Sequence, residues 1–492
     1  MSPDGAVLTG VNYRALLGEP EQDFDGLRGR PCHASVVGVG RGGSEIILEP
    51  IRTSFAFEAL TAGLLVQWQP QWKPYLALAT DVQRPWFPVV FGMLGRGLST
   101  TRCSQWAREV TVDKPATEQL LRGQGLPVPE GKAFAPGEES DAWRYACSIA
   151  GSVVVKPVDG GGGRGVTVGI EDERAFQRAT SRLRDDGYGD GEFLVQRTCG
   201  GRDYRFTVSR ARVLAVFERL PPCVTGDGRS SIEDLVTAKN ATRASRSADR
   251  DVKAIVLDDE ASDLLSASGW SPASIPERGE VITISRIASR SRGSDVVQVT
   301  ESVHPSLHAL ALQVLEAIPG ADIVGIDLIL SAGHTVALEE QRATIIEVNV
   351  GPSPDGHLAP DAGPPSNLYR LVLEDLAGEA GLRIAEARGT LEVAVRPSYL
   401  RLPNAELARL LDDVPGLGID TSRYPSGGLL VLAGERSAVH DGLRLIEGSA
   451  GTVIGVSLSE QPREGDDWLD RVLHPTTLMP RVHSDVLARA GT

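Results

Sequence analysis

The sequence predicts a mixed α/β fold in which antiparallel strands alternate with helices. Segments with the alternating apolar pattern of strands are concentrated in residues 151–220 and predict one antiparallel sheet there. ESVHPSLHALALQVLEAI, residues 301–318, has the apolar spacing of an amphipathic helix. Two further segments, ADIVGIDLIL and ATIIEVNV, are predicted strands that follow this helix.

Composition places the chain among acidic globular proteins. Its 492 residues suffice for about two to four domains. The net charge of −15 argues against broad binding to nucleic acid or to an acidic membrane surface. The 5 cysteines lack C-x-x-C spacing, which favours a reducing compartment over a disulfide framework or a zinc site. No apolar run reaches transmembrane length, so we expect a cytoplasmic protein without nucleic-acid or membrane partners.

Changes of pattern along the chain predict three domains. Residues 1–110 mix short strands with a stretch rich in Pro and Trp, and form an N-terminal α/β domain. DKPATEQLLRGQGLPVP, residues 113–129, predicts a helix ended by glycines and prolines, and it opens the central domain, 111–385. Short strand and helix patterns in residues 386–492 predict a separate small α/β module.

The glycine-rich segment VVVKPVDGGGGRGV, residues 153–166, is the strongest local signal. Glycine is retained where backbone must approach a ligand closely, and phosphate is the commonest such ligand. Residues 160–165 match G-x-G-x-x-G, but a strand pattern follows instead of the helix that a dinucleotide site requires, and no Walker lysine is present. Strand, loop and strand indicate a flap above a nucleotide, with a merely flexible hairpin as the alternative.

Lysine is rare in this chain, which draws attention to Lys114 and Lys156. The lysines number six, at positions 73, 114, 132, 156, 239 and 253, against 50 basic residues in all. A compact ammonium on a flexible stem suits a phosphate in a tight site. Lys156 directly precedes the glycine loop and is therefore a candidate phosphate ligand.

Asp327, Glu347 and Asn349 form a candidate metal site. Asp327 lies in the apolar segment VGIDLIL and needs a partner if it is buried; an arginine or backbone amides could also satisfy it. Glu347 and Asn349 are two residues apart in a strand and therefore share a sheet face. Three oxygen donors suit Mg²⁺ (or Mn²⁺). Because nucleotide phosphates and magnesium are bound together, the set and the flap jointly predict a nucleotide bound with Mg²⁺.

The residues around these motifs resemble the ATP-grasp superfamily. The closest resemblance is to the ATP-grasp half of cyanophycin synthetases, with glutathione synthetases and D-alanine–D-alanine ligases more distant. Matching segments follow the family's order over about residues 90–370: LGRG, VDKPATEQLL, the glycine loop, GGRDYRFTV, PPCVTGDGRSSIEDLV, VTESVHPSL and EVNVGPSPDGHLAP. The resemblance implies an ATP-grasp fold for the central domain.

The resemblance also implies roles for individual residues. The backbone of FLVQR, residues 193–197, would pair with adenine, and Asp203 would reach the ribose. The implied catalytic residues are Arg205, Lys156 and Arg292. The implied ATP-binding residues are Lys114, Lys156, Gly161, Gly162, Gly163, Gly165, Gln196 and Asp203, and the implied metal ligands are Asp327, Glu347 and Asn349. A surface pair of Asp203 with Arg205 is the alternative for those two residues, and structural roles are expected for His304 and His357.

Some positions depart from the family pattern. Gln196 stands where the family usually has glutamate. Glycines 161 and 162 stand where relatives often have Asn-His, and these two glycines predict a looser flap. SRSRGS, residues 289–294, adds Arg290 and Arg292, which either clamp a substrate carboxylate or lie exposed in solvent. The C-terminal module has no P-loop, so cyanophycin polymerisation is not expected.

The reaction implied by the resemblance is phosphorylation of a carboxylate by ATP, followed by attack of an amine on the acyl phosphate. We therefore expect an ADP-forming carboxylate–amine ligase acting on amino acids or short peptides, with peptide natural products as one setting. The alternatives are transfer of the acyl phosphate to a thiol or another non-amine acceptor, and a non-catalytic protein that binds a nucleotide and a partner. Related enzymes often form dimers or tetramers, so a homodimer or homotetramer is expected.

Overall fold

The computed structural model describes residues 103–245, 254–358 and 360–379 continuously. It also describes the short segments 65–69, 73–77, 98, 390–396, 408–409, 411–420, 430–435, 438–439, 442 and 452–459. The chain divides into two compact units, Cys103–Leu368 and the combination of Met1–Arg102 with Tyr369–Thr492. All of the predicted site residues belong to the first of these units. The predicted domain boundaries at 110/111 and 385/386 stay predictions.

The strands of the described residues all pair antiparallel. In chain order they are β1 Leu65–Gln69, β2 Lys73–Ala77, β3 Gly131–Phe134, β4 Val153–Pro157, β5 Thr167–Ile170, β6 Phe193–Arg197, β7 Arg202–Ser209, β8 Val213–Leu220, β9 Cys223–Thr225, β10 Val281–Thr283, β11 Asp295–Gln298, β12 Ile323–Leu330, β13 Ala343–Val350, β14 Thr390–Arg396, β15 Leu417–Asp420, β16 Leu430–Gly434 and β17 Thr452–Ser459.

Side-chain caps mark the starts of five of the helices in the described part of the chain. In chain order the helices are α1 Gln105–Val112, α2 Lys114–Gly123, α3 Glu139–Ser148, α4 Glu173–Asp185, α5 Ile232–Ser245, α6 Asp259–Ala267, α7 Pro305–Glu316, α8 Asp355–Leu358 and α9 Leu368–Glu379. Asp113 caps α2 by accepting from the Ala116 amide, and Gly123 and Gly125 end it as predicted. The predicted helix at 301–318 is α7, capped by the His304 side chain, which has the structural role expected of it.

The predicted single sheet over residues 151–220 is wrong, because its strands divide between two sheets. One has the order β3-β6-β4-β5 and the other the order β11-β8-β7-β12-β13. The division falls between the end of β6 at Arg197 and the start of β7 at Arg202. Gly201, at φ 147° in this link, lies against Leu330 so closely that a Cβ would come within 2.5 Å of its carbonyl oxygen. The chain therefore leaves one sheet here and enters the other.

Each sheet buries one face and leaves the other for the candidate site. The larger sheet packs Tyr204, Phe206 and Ile326 against α1, α2 and α7, and this is the largest core cluster. The smaller sheet packs Val155 and Val195 against α3 and α4. A third cluster joins α5, α6, β9 and β10. Since strand residues alternate between faces, the polar residues between these apolar ones share the opposite faces.

The other compact unit contains a two-stranded sheet, β1-β2, and a four-stranded sheet with the order β15-β16-β14-β17. The second sheet confirms strands that the sequence predicts in LEVAVRP, GGLLVLAG and GTVIGVSLS. The predicted LGRG motif at 94–97 lies outside the described residues. None of the helices in the described part of the chain combines the length and apolar character that a membrane crossing requires.

Candidate active site

The glycine loop connects two antiparallel strands, as the sequence predicts. β4 pairs with β5 through Val153 opposite Ile170 and Val155 opposite Thr167, and no helix follows the loop directly. Gly162, Gly163 and Gly165 have φ values of 66°, 74° and 66°, in the left-handed region that favours glycine. Gly161 has neither a positive φ nor a neighbour within 4 Å of an added Cβ. The loop therefore requires glycine at three of these four positions.

The segment 286–292 lies over this flap. The hydroxyls of Ser289 and Ser291 both donate to the Gly162 carbonyl oxygen, the first over 3.2 Å. The Gly165 amide donates to Asp186 Oδ2 at 2.8 Å. A Cβ on Gly163 would lie 3.2 Å from Ile287 Cγ2. The flap conformation is therefore fixed by contacts on both of its sides.

Replacement of Gly163 with alanine is expected to destabilise the protein by about 1–2 kcal/mol, because alanine is strained at a positive φ. The matched control is Gly161→Ala, which is expected to be neutral or slightly stabilising, because it only restricts the unfolded chain. Urea unfolding of the two variants measures the difference. Equal unfolding midpoints would show that the flap does not need its left-handed residues.

Lys114 and Lys156 reach the junction of the two sheets from different elements. Lys114 Nζ, at the start of α2, donates to the carbonyl oxygens of Val158 at 3.1 Å and Gly160 at 2.5 Å. It also lies 3.8 Å from Glu347 Oε1. Lys156 Nζ, on β4, lies 3.4 Å from the carbonyl oxygen of Ile346. Burial lowers the pKa of Lys156, and the nearby carboxylates of Glu118 and Glu347 oppose that shift.

A β-bulge explains how the Ile346 carbonyl faces Lys156. The pairing of β12 with β13 shifts between Asp327, opposite Glu347, and Leu328, opposite Ile345, which leaves Ile346 as the extra residue. A bulge of this kind redirects side chains and backbone groups locally. It brings β13 to both predicted phosphate ligands at once.

The open face of the larger sheet carries two acids and two arginines on neighbouring strands. Arg205, on β7, donates to Asp327, on β12, through Nε and through Nη2 at 3.1 Å. Arg219, on β8, lies 2.8 Å from Asp327 Oδ2 and donates to Asp203 Oδ1 from Nε at 2.9 Å and Nη2 at 2.7 Å. Asp203 and Arg205 are mostly buried, so the surface-pair alternative is wrong.

Charge compensation within this network is uneven. Burial alone would raise the pKa of Asp327, but Arg205 and Arg219 more than offset it, so its pKa is lowered. Burial dominates at Asp203, whose pKa is raised despite Arg219, with the Asp327 charge acting in the same direction. The position of the Arg205 side chain requires glycine at residue 325, because a Cβ there would lie 2.5 Å from Arg205 Nη1.

The predicted metal ligands come together on neighbouring strands. Asp327 lies directly opposite Glu347, and Asn349 lies opposite Gly325 on the same face. Glu347 is about a third exposed, at 30%, whereas both oxygens of Asp327 already accept from arginine. Among the described residues, no three His, Cys, Asp or Glu side chains lie close enough together to hold a metal ion. A metal site here therefore needs the side-chain oxygen of Asn349 as a ligand. The carboxylate and amide oxygens fit a hard divalent cation.

His357 packs against the same face of the larger sheet and has a structural role. It is fully buried, its Nε2 shares a 2.9 Å hydrogen bond with Thr207 Oγ1, and its ring packs on Phe217 with centroids 4.5 Å apart. Burial, together with the charges of Arg205 and Arg290, lowers its pKa to about 3. The ring is therefore neutral at physiological pH.

The depressed pKa of His357 predicts acid sensitivity. Between pH 6.5 and about 3 the unfolded chain binds a proton at this residue that the folded protein excludes, so stability is lost as the pH falls. The loss should reach about 2 kcal/mol between pH 6.5 and 5. Urea unfolding over this pH range, with His357→Gln as the comparison, checks it: the wild-type protein should lose more stability than the variant. Parallel curves would contradict the assignment.

Most of the backbone of the FLVQR strand is engaged by neighbouring strands. β6 is an inner strand that pairs with β3 on one side and β4 on the other. The Arg197 and Thr198 amides also donate to the carbonyl oxygens of Glu130 and Ser152. Pairing with β3 stops at Gln196, so the predicted backbone contact to adenine stays a prediction for the end of this strand. The Gln196 side chain, by contrast, points to the site face and hydrogen-bonds Glu118.

Arg292 lies in an ion-pair cluster away from the acid–arginine network. Its Nη1 donates to Glu260 Oε2 at 2.6 Å, and the same oxygen accepts from Arg182 Nη1 at 3.1 Å. The Arg292 side chain is 23% exposed. This exposure does not decide between a clamp on a substrate carboxylate and a solvent-exposed arginine. Its catalytic role stays a prediction. Arg219 and Glu118 are the site residues that sequence reasoning missed.

Comparisons with known proteins agree with the motifs of the central region. Cyanophycin synthetase from Trichormus variabilis is 33% identical over 275 residues, covering 54% of this chain and 29% of that protein. The glutathione biosynthesis bifunctional protein GshAB from Enterococcus faecalis is 30% identical over 271 residues, covering 54% and 35%. The chain thus spans less than a third of the cyanophycin synthetase that it matches. No protein-family model matches the sequence.

Among solved structures, a bifunctional glutathione synthetase from Pasteurella multocida matches with 25% identity and a TM-score of 0.47. It covers 67% of this chain, which in turn spans 44% of that chain. The fold class is confirmed by the elements themselves, which combine helices with antiparallel sheets. The sequence similarity over about half of the chain confirms the resemblance to ATP-grasp ligases that the motifs indicate.

Proposed function

We propose that this protein is an ADP-forming carboxylate–amine ligase that activates an amino-acid or peptide carboxylate as an acyl phosphate. The observation that carries the proposal is the meeting of Lys114, Lys156 and Glu347 beneath the glycine flap. Cations under a flap, beside oxygen donors on a neighbouring sheet, are what a nucleotide triphosphate with its divalent ion requires. The relatives' names support amide formation as the chemistry.

Each group has a defined part in the proposed reaction. Lys114 and Lys156 neutralise the ATP phosphates, and the flap covers them and excludes water. Glu347 and Asn349, with Asp327 across the strand pair, would hold magnesium, and the ion would supply neutralising charge for the phosphoryl transfer. Arg205, oriented by Asp327, lies on the same face and stabilises charge as the phosphoryl group passes to the substrate carboxylate. The chemistry needs positioning and charge and no protein nucleophile.

The acyl phosphate then loses phosphate when an amine attacks its carbonyl carbon. The carbon–nitrogen bond forms as the carbon–oxygen bond to phosphate breaks, and the amine releases a proton. The substrates are small carboxylates and amines, amino acids or short peptides. We further propose that residues 111–385 form the catalytic domain and that the chain acts as a homodimer or homotetramer.

ADP release by the purified protein tests the proposal, with amino acids supplied singly and in pairs. Release stimulated by a particular pair, with a product lighter than the sum of the two by one water in the mass spectrum, supports the ligase. If a carboxylate stimulates ADP release only when a thiol is present, the acceptor is a thiol and not an amine. ADP release that depends on no carboxylate would overturn the proposal.

A further inference from the structure

A buried pair between Glu118 and Gln196 joins α2 to β6. Glu118 follows Lys114 by one helical turn, so both side chains leave α2 on the same face. Gln196 Nε2 donates to both oxygens of Glu118, at 2.7 and 2.8 Å. Glu118 is 8% exposed and Gln196 is 1% exposed, so water competes little for these bonds.

The chemistry of the pair fixes the orientation of the glutamine. A carboxylate only accepts hydrogen bonds, whereas a carboxamide donates from one end and accepts at the other. Glu118 therefore requires the NH₂ end of Gln196, and Oε1 must point away from it. Without such a partner the two ends of the amide are nearly interchangeable in shape.

The register of the smaller sheet places Gln196 on the nucleotide side. Leu194 lies opposite Lys156, and Gln196 lies opposite Val154, so Gln196 shares a face with the phosphate ligand Lys156. Val195 and Val155 point to the opposite face, into the core with α3 and α4. The acceptor end of Gln196 is thus held on the face that carries Lys156.

We propose that Glu118 is a specificity-determining positioning residue that acts through Gln196. By fixing the carboxamide, it presents Oε1 as an acceptor to the base of the nucleotide. An acceptor favours a base with an exocyclic amine at the position that distinguishes adenine, and disfavours a base with a carbonyl there. The inference rests on the proposed ATP site and adds a means of base selection to it.

ATP and inosine triphosphate are the probes. Inosine has a carbonyl where adenine has the exocyclic amine, and its adjacent ring nitrogen carries a hydrogen. Calorimetric binding to the full-length protein should favour ATP by roughly 10-fold or more, because the carbonyl leaves Oε1 facing another acceptor. Glu118→Gln, which is isosteric, frees the amide to turn, so the preference should fall to about 3-fold or less. The exposed Glu109→Gln on α1 is the matched control and should keep the wild-type ratio.

A reciprocal exchange separates positioning from mere packing. In the double variant Glu118→Gln with Gln196→Glu, the new glutamine donates to the new carboxylate, whose second oxygen remains an acceptor toward the base. The ATP preference should return to within about 3-fold of wild type. Thermal unfolding of each variant establishes that it is folded.

The outcomes distinguish this inference from the function on which it rests. A wild-type protein that binds neither nucleotide would overturn the proposed function and, with it, this inference. A protein that binds ATP and inosine triphosphate equally would overturn the inference alone. So would a Glu118→Gln variant that keeps the wild-type ratio, or a double variant that does not restore it.

Discussion

Replacing Asp327 with alanine is expected to lower the free energy of unfolding by about 3–5 kcal/mol. The substitution leaves the guanidinium groups of Arg205 and Arg219 mostly buried, and of the acids in this network among the described residues Asp203 alone remains. An uncompensated buried charge costs far more than the lost hydrogen bonds alone. Urea unfolding at neutral pH measures the effect.

The control for this substitution is Asp141→Ala on α3. Asp141 also pairs with an arginine, Arg144, but both side chains are more than half exposed, at 56% and 77%. An exposed pair contributes less than about 1 kcal/mol, so the control should unfold nearly as the wild type does. If the two variants lose the same stability, the acid–arginine network does not have the role assigned to it.

Replacing Lys156 with methionine is expected to reduce turnover by roughly 100-fold or more while leaving the protein folded. Methionine keeps the buried stem of the side chain but removes the cation proposed to meet the ATP phosphates. Because the wild-type ammonium is itself partly desolvated, as its lowered pKa indicates, its loss should not destabilise the fold greatly. ADP release at saturating and limiting ATP measures the change.

Lys132→Met, on β3 of the same sheet, is the matched control. Lys132 is exposed and lies over the Phe134 ring, 5.1 Å from its centroid, outside the candidate site. The control should retain wild-type turnover. Retention of turnover by Lys156→Met to within about 3-fold would remove this lysine from the mechanism.

Local signals account for the parts of the fold that the sequence predicts correctly. The caps and periodicity of α2 and α7, and the strand that follows the glycine loop, depend on neighbouring residues only. Helix α4 was missed, although Asp172 caps it and Phe176, Ala179 and Leu183 mark its buried face. A capping residue followed by an apolar face of this kind predicts a helix.

The division into two sheets could not be predicted from the strand patterns. Strands of either sheet have the same alternation, and which strands pair depends on residues far apart in the chain. The Gly200-Gly201 link is the one local hint, since it separates β6 from β7.

The sequence indicates those site residues whose side chains are typical ligands of phosphate or of a metal ion. Lys114 and Lys156 both reach β13, beside Glu347 and the Ile346 carbonyl, and Asn349 lies two residues further along the same strand. Arg219 was missed because its partnership with Asp203 and Asp327 depends on the register of three strands. Glu118 was missed for a similar reason: Gln196, its partner, is 78 residues away.

Trapping of the activated carboxylate tests the central claim most directly. With ATP, magnesium and hydroxylamine, the protein should convert its carboxylate substrate from a panel of amino acids and short peptides into a hydroxamate, with one ADP released for each hydroxamate formed. Glu347→Gln, which removes an anionic metal ligand, should abolish both products while remaining folded. Formation of AMP in place of ADP, or ADP release without hydroxamate for every carboxylate in the panel, would contradict phosphoryl transfer to a carboxylate at this site.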